Sequence, residues 1–216
     1  MYDLHTHSYM SDGVLDLAEL ARRCQVQGYR GLAISDHCDH ADIEDNIARV
    51  RRFCEAVRGC YGDMTIVPGC EITHVPPRLI GGLIEKAREM GAAIVLVHGE
   101  TIVEPVAEGT NRAAIEGRAD AVAHPGLITP EDAALAAKNG VLLEVSGRQG
   151  HCYTNAHVAR TALAAGAKLS FGSDGHDPGE YPDRAMAEKI MRGAGLEKDQ
   201  IQQVWRTLAA LFKERA

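Results

Sequence analysis

The chain has 216 residues, 45% of them hydrophobic and 25% charged, which is enough for one well-buried domain and unlike a disordered composition. Its formal net charge of -7 argues against a broadly basic nucleic-acid surface, without describing any local site. Cys24, Cys38, Cys54, Cys60, Cys70 and Cys152 form no CxxC pair, and neither an export signal nor an apolar run of membrane-spanning length occurs. We therefore expect a cytoplasmic protein with free thiols and no membrane partner; the sequence does not fix its oligomeric state.

The predicted elements alternate along the chain. A short apolar run at Tyr2 to Leu4 is followed by helical periodicity from Leu15 to Gln27, a run at Gly31 to Ile34, and a helix over Asp42 to Arg58. Next come a strand at Met64 to Val67, a helix over Arg78 to Met90, and strands at Ala93 to Val97 and Ala119 to Ala123. A helix over Glu131 to Lys138, a strand at Val141 to Val145, a helix over Asn155 to Ala165 and a strand at Lys168 to Phe171 follow. Two helical stretches lie beyond Tyr181, and the last, from Glu197, gathers Ile201, Val204, Trp205, Leu208, Leu211 and Phe212 on one face. Gly28, Gly91, Gly140 and Gly166 stand where helix-capping glycines belong. Seven βα units without a linker or repeat imply a single α/β domain with a parallel sheet, a (β/α) barrel that is distorted or one unit short of eight.

Metal-type side chains cluster at the strand ends. His5 and His7 follow the first strand, and on an extended chain residues two apart point the same way. Asp12 lies just beyond in "SDG", His37 closes "SDH", and Glu71 closes "GCE". His98 in "VHG", His124 in "AHP", and Asp174 and His176 in "SDGH" complete the set. In a parallel barrel these ends share one rim, so six of the ten histidines converge on one mouth with carboxylates between them.

Imidazole and carboxylate without thiolate suit zinc, manganese or iron better than an all-oxygen calcium or magnesium cage. A catalytic ion takes about three or four protein ligands, so this donor set asks for two or three divalent transition metal ions. A shared carboxylate would hold neighbouring ions close, and a water between them would lose a proton near neutral pH.

Taken in order, "HTHS" with "SDG", "SDH", "CE", "VHG", "AHP" and "SDGH" resemble the polymerase and histidinol phosphatase (PHP) family along the whole chain. The resemblance implies a distorted (β/α)7 TIM-like barrel, a single PHP domain over residues 1–216, and a trinuclear centre. In that centre His5, His7, Glu71 and Asp174 would hold one ion, and Glu71 would bridge to a second held by His98 and His124. Asp12, His37 and His176 would hold the third. Three divalent ions bring about +6 against about -3 from Asp12, Glu71 and Asp174, so the mouth would attract a phosphate dianion within an acidic protein.

The expected function is therefore a metal-dependent phosphatase that uses metal-activated hydroxide on a small phosphate monoester, of the histidinol phosphate, nucleotide or sugar phosphate class. Glu71, Asp12, His176, Arg148 and His151 are the expected catalytic residues. Arg148 and His151, in "SGRQGH" after a strand that offers no ligand, are the expected substrate contacts. Two alternatives are a PHP-type nuclease, for which no basic stripe or aromatic platform is evident, and a metal-stabilised module without turnover. Glu100 and Glu104 are candidates for substrate selection or for orienting His98. Asp39, His40 and Asp42 read as a solvated loop, His74 and His157 as non-catalytic, and Asp3 and Asp36 as structural or supporting residues.

Overall fold

The computed structural model describes residues 1–215. Parallel strands follow one another around a nearly closed barrel: β1 (Tyr2–Asp3), β2 (Gly31–Ile34) with β3 (His37–Cys38), β4 (Thr65–Ile72), β5 (Ile94–His98), β6 (Ala121–Ala123), β7 (Leu142–Ser146) and β8 (Leu169–Gly172). Around them lie α1 (Leu17–Val26), α2 (Ile43–Ala56), α3 (Pro77–Glu89), α4 (Thr110–Glu116), α5 (Pro130–Asn139), α6 (Asn155–Ala165), α7 (Arg184–Gly193) and α8 (Lys198–Arg215). Every residue of β5 and β7 is buried, because the barrel interior covers one face of each strand and helices cover the other. This is the distorted seven-position barrel expected from the alternation.

β2 and β3 form one interrupted strand. β2 pairs with β4 as far as Ile34 opposite Pro68, and β3 resumes with His37 opposite Glu71, in unchanged register. Proline offers no amide hydrogen to a neighbouring strand. In the gap, Thr6 N donates to Ser35 Oγ (3.1 Å), and the Ser8 amide and hydroxyl both donate to the Asp36 carboxylate at 2.7 Å. Asp36 thus fastens the first loop, which carries Asp12, to the second strand.

The barrel closes between the two ends of the chain. Asp174 N donates to His5 O (2.8 Å) and His7 N to Gly175 O (3.0 Å). Below them Asp3 Oδ1 accepts from the amides of His5 (3.1 Å) and Ser173 (3.0 Å), and burial raises the Asp3 pKa to about 6. Outside this seam α8 sets Phe212 against Tyr2 and Trp205 against Phe171, with ring centroids 5.5 and 6.0 Å apart. A Cβ at Gly31 would come within 2.8 Å of the Phe212 ring, so the helix sits close only because that residue is glycine.

Two elements depart from the sequence expectation. β4 continues through Pro68 and Gly69 to Ile72, because Pro68 still accepts from Ala93 N through its carbonyl and Gly69 lets neighbouring strands approach. Hence Glu71 stands inside a strand, near its end. The seven-residue α4, too short for clear periodicity, follows Gly109 and was not anticipated. Among the described residues no helix is long and apolar enough to cross a membrane, and none of the six cysteines is in a disulfide.

Candidate metal centre

A cavity of about 430 Å³ opens at the C-terminal ends of the strands, and Asp12, His37, His98, His124, Asp174 and His176 line it. His5 and His7 lie beneath, fully buried. The extended chain sends Thr6 the other way, where its hydroxyl donates to Ala33 O (2.8 Å), so both imidazoles turn inward with centroids 4.9 Å apart.

The donors fall into adjoining groups. His5 Nε2 lies 3.3 Å from Glu71 Oε1, and His7 Nε2 lies 3.3 Å from Asp174 Oδ1 and 3.6 Å from Glu71 Oε2. Asp12 Oδ1 is 3.0 Å from His176 Nε2 and 3.5 Å from His37 Nε2. His124 Nε2 is 3.6 Å from both Glu71 Oε1 and Asp174 Oδ2, and its ring centroid is 4.4 Å from that of His98. The nine donors expected from the sequence therefore gather in and directly beneath one cavity.

Divalent ions fit this arrangement. Tetrahedral bonds of about 2.0–2.1 Å put neighbouring donors roughly 3.3 Å apart, close to the spacing found here. Moreover, His5 Nε2, both ring nitrogens of His7, both oxygens of Glu71 and Asp174 Oδ2 are buried without a hydrogen-bond partner. A fold does not leave so many polar atoms orphaned in one place without a ligand for them.

Basicity differs among the imidazoles. Burial opposes charge on His5 and His37, but carboxylates outweigh it: Glu71, Glu144 and Asp174 hold His5 well above its usual range, and Glu71 and Asp12 push His37 up to about 10. Burial and neighbouring imidazoles hold His7 and His124 well below theirs. Glu71 is held well below the carboxylate range despite its burial, because His5 and His37 face it. Asp174 is pushed up to about 7, chiefly by burial.

Supporting residues were largely invisible to motif reading. Glu144 on β7, buried, takes His5 Nδ1 at 2.9 Å and accepts from His124 N at 3.2 Å, which turns His5 Nε2 toward the cavity. A Cβ at Gly172 would overlap this carboxylate. The signal was a lone glutamate in the apolar run "LLEVS". Thr73 Oγ1 stands 2.7 Å from His37 Nδ1, and Glu180 accepts from His176 N (2.9 Å). The backbone of His124 and Asp174 is left-handed, with φ of 27° and 53°, a costly conformation outside glycine that clusters at functional sites.

The remaining candidates separate. Arg148 lines the cavity, and its Nη1 donates to Asp174 O (3.1 Å) and Glu180 Oε2 (3.3 Å). His151 stacks on His124 with centroids 4.0 Å apart, and Glu104 stands beside both His98 and His151. Glu100, by contrast, accepts from Gly109 N and Asn111 N, so its carboxylate caps α4 instead of facing His98. Asp39 and Asp42 line the rim, His40 is exposed outside it, and His157 lies 2.8 Å from Ile128 O. His74, read as non-catalytic, lines the cavity with its ring 5.1 Å from His98.

Comparison with known proteins agrees with this geometry. Over 202 residues, 93% of each chain, the sequence is 40% identical to the uncharacterized protein MJ1295 of Methanocaldococcus jannaschii. It is 33% identical over 106 residues to the 3',5'-nucleoside bisphosphate phosphatase of Chromobacterium violaceum, covering 43% of this chain and 37% of that one. The fold superposes on the histidinol phosphate phosphatase of Lactococcus lactis, solved with zinc, L-histidinol and phosphate, with a TM-score of 0.63 at 13% identity, over 91% of this chain and 94% of that one. The PHP domain model matches residues 3–215, and the chain belongs to the PHP domain family.

Proposed function

We propose that the chain hydrolyses a small phosphate monoester at this mouth, with two to three divalent ions held by His5, His7, Asp12, His37, Glu71, His98, His124, Asp174 and His176. The enzyme class follows from family and donor set together: a metal-dependent phosphatase. The observation that carries the reading is the gathering of buried, orphaned imidazole and carboxylate atoms at metal-ligand spacing.

Zinc, manganese or iron, when bound, lowers the pKa of water toward neutrality and offsets charge on phosphoryl oxygens. The chain's own groups supply the rest. Glu71 lies between His5, His7, His37 and His124 and would be shared between ions. Asp12, half-exposed on the first loop, marks the solvent side of the centre. Arg148 commits only Nη1 to the chain among the described residues, which leaves Nε and Nη2 to receive phosphate oxygens. Glu180 holds that guanidinium at the rim.

The test begins with metal analysis of protein purified without chelator, which should give two to three transition ions per chain. Loaded protein should then turn over phosphomonoesters from the histidinol phosphate, nucleotide and sugar phosphate classes in preference to diesters. Less than one ion per chain, or a preference for diesters, would overturn the reading; a loaded protein inert to both points to a module without turnover.

A further inference from the structure

The geometry points to Glu104 and His151 as additional ligands of the ion position held by His98 and His124, two donors from outside the motif set that would join the shared Glu71. The inference rests on reading the mouth as a metal centre, yet its test needs no substrate. It starts from His98. Among the described residues the carboxylate within ion-pair distance of His98 Nε2 is that of Glu104, at 3.1 Å, rather than that of Glu71. The other Glu104 oxygen lies 3.4 Å from His151 Nε2. One donor atom each from His98, His124 and His151 also falls within 4.8 Å of the others. The 3.1 and 3.4 Å separations match the edges of a coordination polyhedron built on bonds of about 2 Å.

Three further features argue that the placement is built. Thr101 Oγ1 lies 2.8 Å from His151 Nδ1, and a partner for one ring nitrogen of this kind leaves the other free to bind an ion. His151 is buried at 5% exposure and stacked on His124, so its ring is fixed in place. The loop that carries Glu104 is fastened from behind: Asn111 accepts from Glu100 N (3.0 Å) and donates to Pro125 O (2.9 Å), while Gly99 and Gly126 allow backbone contact where a Cβ would collide. His74 Nε2, 3.4 Å from Glu104, packs on its outer side. Positions filled by protein donors hold an ion in place, whereas reacting positions stay open. The substrate would accordingly approach from the side of Asp12 and Arg148.

The experiment measures metal affinity by chelator competition, and the visible spectrum of cobalt-loaded full-length protein, for the wild type, Glu104→Gln and His151→Ala. Glu104 is on a loop and about a third exposed, so its substitution does not threaten folding. Each variant should weaken one ion, the same one, by about tenfold to a hundredfold or more, leave the others unchanged, and alter the cobalt bands as the coordination changes. Glu104→Asp should restore part of the loss. Unchanged affinity and spectrum in both variants would sink the inference while leaving the phosphatase reading intact; in that case a raised KM for Glu104→Gln would make Glu104 a substrate contact. A wild-type protein that binds no transition ion sinks both.

Discussion

The two ends of the barrel treat buried charge in opposite ways. At the N-terminal end Asp120, 8% exposed, has both oxygens engaged: Oδ1 with Arg215 (3.1 Å), and Oδ2 with Arg88 (3.1 Å) and Val95 N (2.8 Å). At the C-terminal end Glu71, fully buried, lacks a hydrogen-bond partner on either oxygen and is surrounded by imidazoles. The first carboxylate is satisfied by the chain and the second is not. Burial alone therefore does not identify a functional carboxylate in this fold, whereas burial with incomplete partners does.

Substitution at the two ends should separate stability from chemistry. Glu71→Ala should cost about a thousandfold or more in kcat/KM and lower metal content, since the donor placed between ions is lost. Asp120→Ala should leave kcat/KM near wild type and instead cost about 2 kcal/mol in chemical denaturation, because two arginines and an amide lose their acceptor. If both variants lose activity and stability alike, the contrast fails.

The pH dependence of metal loading comes next in size. His37 in the ion-free protein titrates near 10, held up by Glu71 and Asp12, so at pH 7.5 it carries a proton that an ion must displace. Its raised pKa stabilises the ion-free fold fully below about 6.5, and that contribution is lost as the pH rises through about 10. Metal affinity should thus rise between pH 7 and 9, with at least one proton released per chain, as titration calorimetry in two buffers of different ionisation enthalpy would read. Binding without proton release removes His37 from the ligand set. The smallest effect is expected from Arg148→Ala, a KM increase of about tenfold with kcat changed less, because the free guanidinium nitrogens bind one anion at a half-exposed rim. Unchanged kinetic constants would rule out that role.

Much of this was legible from the chain alone, for identifiable reasons. Barrel order follows from period-2 and period-3.6 runs, and the nine donors are polar residues placed at the ends of apolar runs, where a parallel barrel must bring them together. What escaped was set by tertiary contact. Glu144 carries no motif, and only its strand face aims it at His5. The sequence predicts β4 over Met64 to Val67, but it runs on through Pro68 and Gly69 to Ile72, beside a neighbouring strand that is itself interrupted. Glu100 and Glu104 lie four apart on one loop and read alike, yet the first turns back to α4 while the second reaches the mouth. His74 gave no signal because its left-handed backbone, φ 53°, redirects a side chain that spacing alone would send elsewhere.

The seam also sets an order of assembly. Ser173 Oγ meets His5 O across 168 residues of chain, and the donors on its two sides, His5 and His7 against Asp174 and His176, face one another only once the last strand has docked. The pocket therefore cannot form until the segment carrying Asp174 and His176 has docked against His5 and His7. Ions bound across this seam would oppose its reopening by their binding free energy.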